Sequence, residues 1–392
     1  MASSNLKKFT NPGFLRSLKF SNLIKLLRKF DGYFSGVVHF QYDNIEQDKF
    51  DFDGLAAILI DQMMVGDYSE LFNAFGLIGA MGTDSREDVL REYIEAQPYK
   101  DEVTDDTAVA DLALLVYLHA PEVLNDIDIE FNATKKKSFA MRATRRNMSD
   151  LVITHQHIVT FEEELNKIFV TRHRGNTAKV YTPSKEGDEY YFIIRHGDSF
   201  KRQGTVSQGK ESRTLAFQPE SFNLLVLNTK TGELRICVPA QPKWMEEGYA
   251  LTLGKALFND FAAFNEKRCN NLERIKELGE KVLIYNGAAD VRKISLTGLT
   301  FWSTPECHMK ETLDASNDAL FQDFKMLDRD IAGIGTIFEA RFVVQIGDKE
   351  RTVVIKNNNR SGYDYDDFGI VVDEWLRSVG IIPSVHALEV AA

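Results

Sequence analysis

Over its first third the chain repeats apolar residues every three or four positions, and over much of the remainder it repeats them every second one. Leu15, Leu18, Leu23, Leu26, Leu27 and Phe30 form a stripe of the first kind. It predicts two short helices, one opened by Pro12 and one capped by Ser21. Further helices are expected at Phe52 to Met64, Ser69 to Leu77, Arg86 to Ala96 and Thr107 to His119, with a short one restarting after Pro121. A helix of about two or three turns from Phe161 leads into the second rhythm. Tyr190 to Ile194, Asn223 to Leu227 and Glu233 to Val238 are β-branched and aromatic, and the last two flank Thr229-Lys230-Thr231-Gly232. That arrangement reads as an antiparallel hairpin and as the nucleus of a sheet. Pro239 and Pro242 break it, and Thr252 to Leu278 carries a long helical pattern. Strands follow at Lys281 to Tyr285 and Val291 to Trp302, then a helix at Asn317 to Leu327. A hairpin pairs Glu339 to Ile346 with Thr352 to Lys356 around Gly347-Asp348-Lys349, before a polar loop from Asn357 to Gly362. The last helix, Asp366 to Val379, begins on acidic residues and stops at Gly380.

These elements predict an α+β fold with a helical N-terminal domain, a central antiparallel sheet flanked by helices, and a smaller C-terminal α/β region. A chain of 392 residues exceeds the span of one ordinary core. The expected boundaries are an acidic helical domain with basic N-terminal helices at 1–132, a basic linker at 133–150, a central α+β domain at 151–280, a C-terminal α+β region at 281–383 and a tail at 384–392.

Composition narrows the class. With 44% hydrophobic residues and nine prolines the chain has material for packed cores. Its longest apolar runs, Leu55 to Ile60 and Leu112 to Leu118, fall far short of the roughly 20 residues that cross a bilayer, and its start does not resemble a signal peptide. A soluble, cytoplasmic protein with no membrane partner is expected. Cys237, Cys269 and Cys307 have no CxxC spacing and read as reduced thiols, not as zinc ligands or disulfides.

The net charge of −11 is segregated. Residues 1 to 30 carry only basic charges, 31 to 130 are mostly acidic, and Lys135, Lys136, Lys137, Arg142, Arg145 and Arg146 form a second basic block. With Phe139 and Met141 interleaved, that block fits a nucleic-acid backbone. A solvated linker, or docking onto the acidic helices, accounts for the same residues.

The strand ending in Arg195-His196-Gly197 resembles the opening of the histidine phosphatase family. The resemblance implies a phosphorylated His196 with Arg195 on the phosphate. The next segment departs from the family, because Gln203, Gly204, Ser207, Gly209 and Ser212 favour a loop where the family turns into a helix. The later histidines, His308 and His386, stand in no strand-turn setting. The central hairpin resembles nucleases of the restriction-endonuclease type, with Asn223 and Glu233-Leu234-Arg235 where an Asp and a Glu-x-Lys would gather magnesium. Asparagine is a poorer ligand for a hard cation, and arginine does not deprotonate. His155-Gln156-His157 offers two metal ligands on one strand face without a third nearby. Asp51, Asp53 and Gly54 look like part of a calcium loop, but Lys49 and Ile60 would then occupy its first and twelfth positions. No cofactor or metal is expected, and no glycine-rich phosphate loop, nucleophile elbow or HExxH occurs.

The sequence therefore predicts a non-catalytic cytosolic interaction or sensor subunit. Its partner would be a protein, a second copy, or a nucleic acid held by the basic segment, in a bacterial accessory system such as phage defence. The alternative is a phosphate-ester hydrolase using Arg195 and His196, or Glu233 with Arg235.

Overall fold

The computed structural model describes residues 8–61, 69–134, 138–148, 150–206, 212–238, 242–267, 269–307, 309–315, 320–364 and 366–383. It is an α+β fold with 13 helices and a 12-stranded antiparallel sheet among those residues. The chain forms two compact units, Met1–Phe131 with Arg202–Leu215, and Asn132–Lys201 with Ala216–Ala392.

In the first unit the helices are α1 (Pro12–Ser17), α2 (Phe20–Lys29), α3 (Asp31–Phe34), α4 (Phe52–Asp61), α5 (Ser69–Met81), α6 (Glu87–Glu95), α7 (Val109–His119) and α8 (Pro121–Thr134). Leu112 to Val116 of α7 are buried on every side, which explains a run too continuous to be amphipathic. The leucines of α1 and α2 enter the same core. Pro12 is where the sequence placed it, but Asn11 caps α1, and Ser21 lies inside α2. At the start of α2 the Asp111 carboxylate of α7 accepts from the Lys19 backbone N–H at 2.7 Å. The basic face of these helices is met from within the unit: Arg16 pairs with Asp53 at 2.6 Å and Arg28 with Asp43 at 2.8 Å. Asp51 caps the N-terminal turn of α4 through the Gly54 N–H, so the calcium-like residues are a helix start.

The second unit is built on strands β1 (Phe139–Ala143), β2 (Lys179–Val180), β3 (Ser184–Glu186), β4 (Glu189–Gly197), β7 (Glu220–Asn228), β8 (Glu233–Cys237), β9 (Glu266–Lys267), β10 (Val291–Trp302), β11 (Lys310–Asp314), β12 (Ile337–Ile346), β13 (Lys349–Lys356) and β14 (Arg360–Gly362). The intervening β5 (Lys201–Val206) and β6 (Ser212–Phe217), which fall mostly in the first unit, pair only with each other. The sheet order is β11-β10-β12-β13-β14-β1-β8-β7-β4-β2, with β3 added on β4 and β9 on β1.

The two predicted hairpins are present. Leu224 pairs with Cys237 and Leu227 with Leu234, and Ile346 pairs with Lys349 across a turn whose Gly347 has φ +54°. Strand β1 corrects the expected basic linker at 133–150. Its five residues are all buried, and they join β8 on one side to β14 on the other, so the expected domains at 151–280 and 281–383 share one sheet. The apolar Phe139, Ala140, Met141 and Ala143 outweigh the charge of Arg142 because a central strand buries both of its faces.

Both faces are covered. Leu224 and Val226 enter a core shared with Trp375 of α13 (Asp367–Ser378), while Leu225 and Leu227 enter one shared with α9 (His155–Thr171) and α10 (Trp244–Phe258). Helices α11 (Glu273–Leu278) and α12 (Leu320–Met326) add Ile275 and Phe324 to the first of these cores. His155-Gln156-His157 lies in the first turn of α9, not in a strand, because Thr154 caps that helix and His157 closes the capping box. The long pattern from Thr252 is interrupted after Phe258 by Asn259 in the left-handed region, φ 54°. Lys281 to Tyr285 is not a strand, since Gly279–Leu283 is a 3-10 turn beneath Trp375, whose indole N–H donates to the Val282 carbonyl at 2.9 Å. Among the described residues no helix is long and apolar enough to cross a membrane.

Candidate functional site

Three buried polar clusters hold Glu233, Arg235, His196 and Arg142, four of the residues to which sequence assigned chemistry. The first lies where β8 meets α13. Strand alternation puts Leu234 and Ile236 into one core and turns Glu233 and Arg235 to the opposite face. There α13 presents Asp373 and Arg377, one helical turn apart. Arg377 grips Glu233 with both terminal nitrogens, at 2.5 and 3.1 Å. Arg235 pairs with Asp373, which also accepts from the Tyr363 hydroxyl. Burial pushes the Tyr363 phenol above its usual range. Glu233 is 3% exposed, and this Glu-x-Arg spacing is a docking pattern for a helix.

The second cluster surrounds His196, which is 2% exposed. Its Nδ1 lies 2.8 Å from the Gly197 carbonyl, and a carbonyl only accepts, so Nδ1 carries the proton. Nε2 then accepts from the Asn223 amide at 2.6 Å, and the same amide reaches the Tyr249 hydroxyl at 2.8 Å. Burial raises the Tyr249 phenol above its usual range. Arg195, His196 and Gly197 do line a cavity of about 220 Å³, with Thr177, Gln218 and Glu220. Arg195 pairs there with Glu220 at 3.5 Å. His308 and His386 lie outside the described residues.

The third cluster contains Arg142 and is the one that opens onto a basic cavity. Along one edge of β1, β14 pairs with Phe139 and Ala140, and β9 takes over at Arg142 and Ala143. A cavity of about 390 Å³ lies at this junction, beside the first turn of α10. Its charged lining is Arg142, Lys243, Lys267 and Arg360, opposed by Glu246 and Glu247. Glu246 is shared: Arg142 approaches it at 3.4 Å, Arg360 at 3.0 Å and the Asn359 amide at 2.7 Å. Arg142 Nε and Arg360 Nη1 are buried without an acceptor among the described residues. Asn270 fixes the wall, donating to the backbone carbonyls of Lys356 and Arg360 at 2.9 and 3.1 Å. Arg360 also lines a second cavity, of about 600 Å³, with Arg351, Lys356 and Tyr363. Val353 and Ile355 of β13 enter the core, so the alternating Thr352, Val354 and Lys356 of this second cavity belong to the opposite face.

The predicted basic block is thus divided. Arg142 faces Glu246, Arg145 pairs with Glu266 at 3.5 Å, and Arg146 pairs with Asp260 at 2.6 Å. Lys135, Lys136 and Lys137 lie outside the described residues, directly before Ser138 of the larger cavity. Sequence reasoning missed Lys243, Glu246, Lys267 and Arg360. A helix start was legible for the first two, in Pro242 followed by an acidic turn; Lys267 was hidden by the overlong helical reading. Among the described residues no group of three or more His, Cys, Asp or Glu side chains is placed to hold a metal ion. The sequence matches no family model and no curated protein.

Proposed function

We propose that the protein is a non-catalytic recognition subunit that grips a nucleic-acid strand by its phosphates. The carrying observation is the pair of cavities that share Arg360, whose linings set Arg142, Lys243, Lys267, Arg351 and Lys356 against Glu246, Glu247, Glu350 and Asp364, with Lys356 also paired to Glu339 at 3.2 Å and Arg351 to Asp366 at 2.7 Å. Phosphate contacts supply most sequence-independent affinity for nucleic acids, and cations fixed on strands, as all of these but Lys243 are, meet a backbone without having to be ordered first. The engagement of Glu233, Arg235 and His196 in buried pairs supports the non-catalytic half of the reading. A cytosolic setting accords with three cysteines that form no disulfide.

Phosphate-ester hydrolysis at His196 is the second reading, and the cavity beside Arg195 favours it. Attack by His196 would first require Nε2 to release Asn223. The two readings separate in one set of assays. Fluorescence anisotropy with labelled single-stranded DNA and RNA at low salt should show binding weakened by Lys356→Glu. Incubation with p-nitrophenyl phosphate should show no turnover that depends on His196. Turnover lost in His196→Ala, or no binding to either strand, would overturn the proposal.

A further inference from the structure

We infer that the smaller cavity, between β9 and the first turn of α10, is a site for a phosphomonoester dianion. The inference rests on the nucleic-acid reading in that the dianion is taken to be the phosphorylated end of the strand.

Charge is the first argument. Four cations line the cavity, Arg142, Lys243, Lys267 and Arg360, against two carboxylates, Glu246 and Glu247. The excess is 4 − 2, two positive charges. An internal phosphodiester brings one negative charge, whereas a phosphomonoester brings nearly two at neutral pH. Both arginines draw on the same Glu246, and Lys243 and Lys267 have no ion-pair partner among the described residues.

Register is the second. Arg142 and Lys267 are Cα partners in the pairing of β1 with β9. Directly opposed residues project from the same face of a sheet, and like charges in that relation repel. Arg142 is 6% exposed whereas Lys267 is exposed, so solvent relieves this repulsion from the lysine side only. An anion between them turns the repulsion into two attractions.

The helix is the third. Helix α10 runs for 15 residues, and Lys243 at its N-cap makes no side-chain hydrogen bond to the first turn. The positive end of its dipole, met in part by Glu246 and Glu247 of its own first turn, faces the same cavity as the lysines. The volume, about 390 Å³, holds more than a bare phosphate, leaving room for the terminal sugar.

The test compares three probes on the intact chain: one oligonucleotide with a 5′-phosphate, the same with a 5′-hydroxyl, and adenosine monophosphate with adenosine as its control. The phosphorylated strand should bind at least tenfold more tightly than the hydroxyl strand. Lys243→Ala with Lys267→Ala should abolish that preference, while Lys356→Ala should weaken both strands equally. Circular dichroism of each variant confirms that it is folded. Equal affinity for the two strands, both weakened by Lys356→Ala, would overturn this inference and leave the proposed function standing. Binding of adenosine monophosphate but of neither strand would keep the phosphomonoester site and overturn its assignment to a strand end. Binding of no probe would overturn both.

Discussion

Glu233 and Arg377 make the clearest test of a single contact. The carboxylate is almost wholly buried and is held by both terminal nitrogens of one guanidinium. Removing one partner of a buried pair leaves an uncompensated charge in a poorly polarisable medium, at a cost of about 3–5 kcal/mol. Arg377→Ala should lower the urea midpoint accordingly, and adding Glu233→Leu should recover much of the loss. A midpoint unchanged by Arg377→Ala would show that Glu233 is solvated. The partners lie 144 positions apart, so no local reading of Glu-x-Arg distinguished a helix dock from a metal site. Asp111 offers a pH test. Burial raises its pKa, and the Lys19 N–H only partly opposes that shift. A raised carboxyl stabilises the fold while protonated, below the ordinary aspartate range near 3.9, and that contribution is lost as pH rises through the folded pKa. Asp111→Asn keeps an acceptor for Lys19 and never charges. It should be more stable than the parent at pH 7, with the gap closing in acid; a constant gap across pH would exclude titration of Asp111 as its cause.

At the scale of elements, turn chemistry was the most legible signal. The hairpin of β7 and β8 was readable from Thr231-Gly232, and the structure shows why glycine stands there. Gly232 has φ +71°, and a Cβ at that position would lie 2.3 Å from the Thr144 carbonyl oxygen. Its own carbonyl accepts from the Thr144 N–H at 2.9 Å, tying the turn to the end of β1. Gly232→Ala should cost about 1–3 kcal/mol, as forced left-handed backbone generally does, and a urea titration would measure it. Less than half a kcal/mol would mean that the turn relaxes. Strand β1 was not legible for the opposite reason: its flanks are charged and mask the apolar pattern between them. The candidate site was hidden with it, since this strand carries Arg142 of the cavity lining.

For the whole molecule, net charge is a poor guide, because each acidic or basic group acts over about 8–10 Å in physiological salt. The basic N-terminal helices meet carboxylates of their own unit, whereas the sheet unit keeps Lys243 and Lys267 beside a cavity. Sequence showed that cations and anions were separated along the chain, but the placement of the cavity depended on β9 and β14 sharing an edge of β1, contacts that span more than 100 positions. The most direct test is the salt dependence of strand binding. For single strands the slope of log K against log salt is about −0.7 for each phosphate neutralised. Between 50 and 200 mM potassium chloride, Lys243→Ala, Lys267→Ala and Lys356→Ala combined should make the slope for a 5′-phosphorylated strand shallower by about 2. A slope that this variant leaves unchanged would show that the phosphates are held elsewhere and contradict the account.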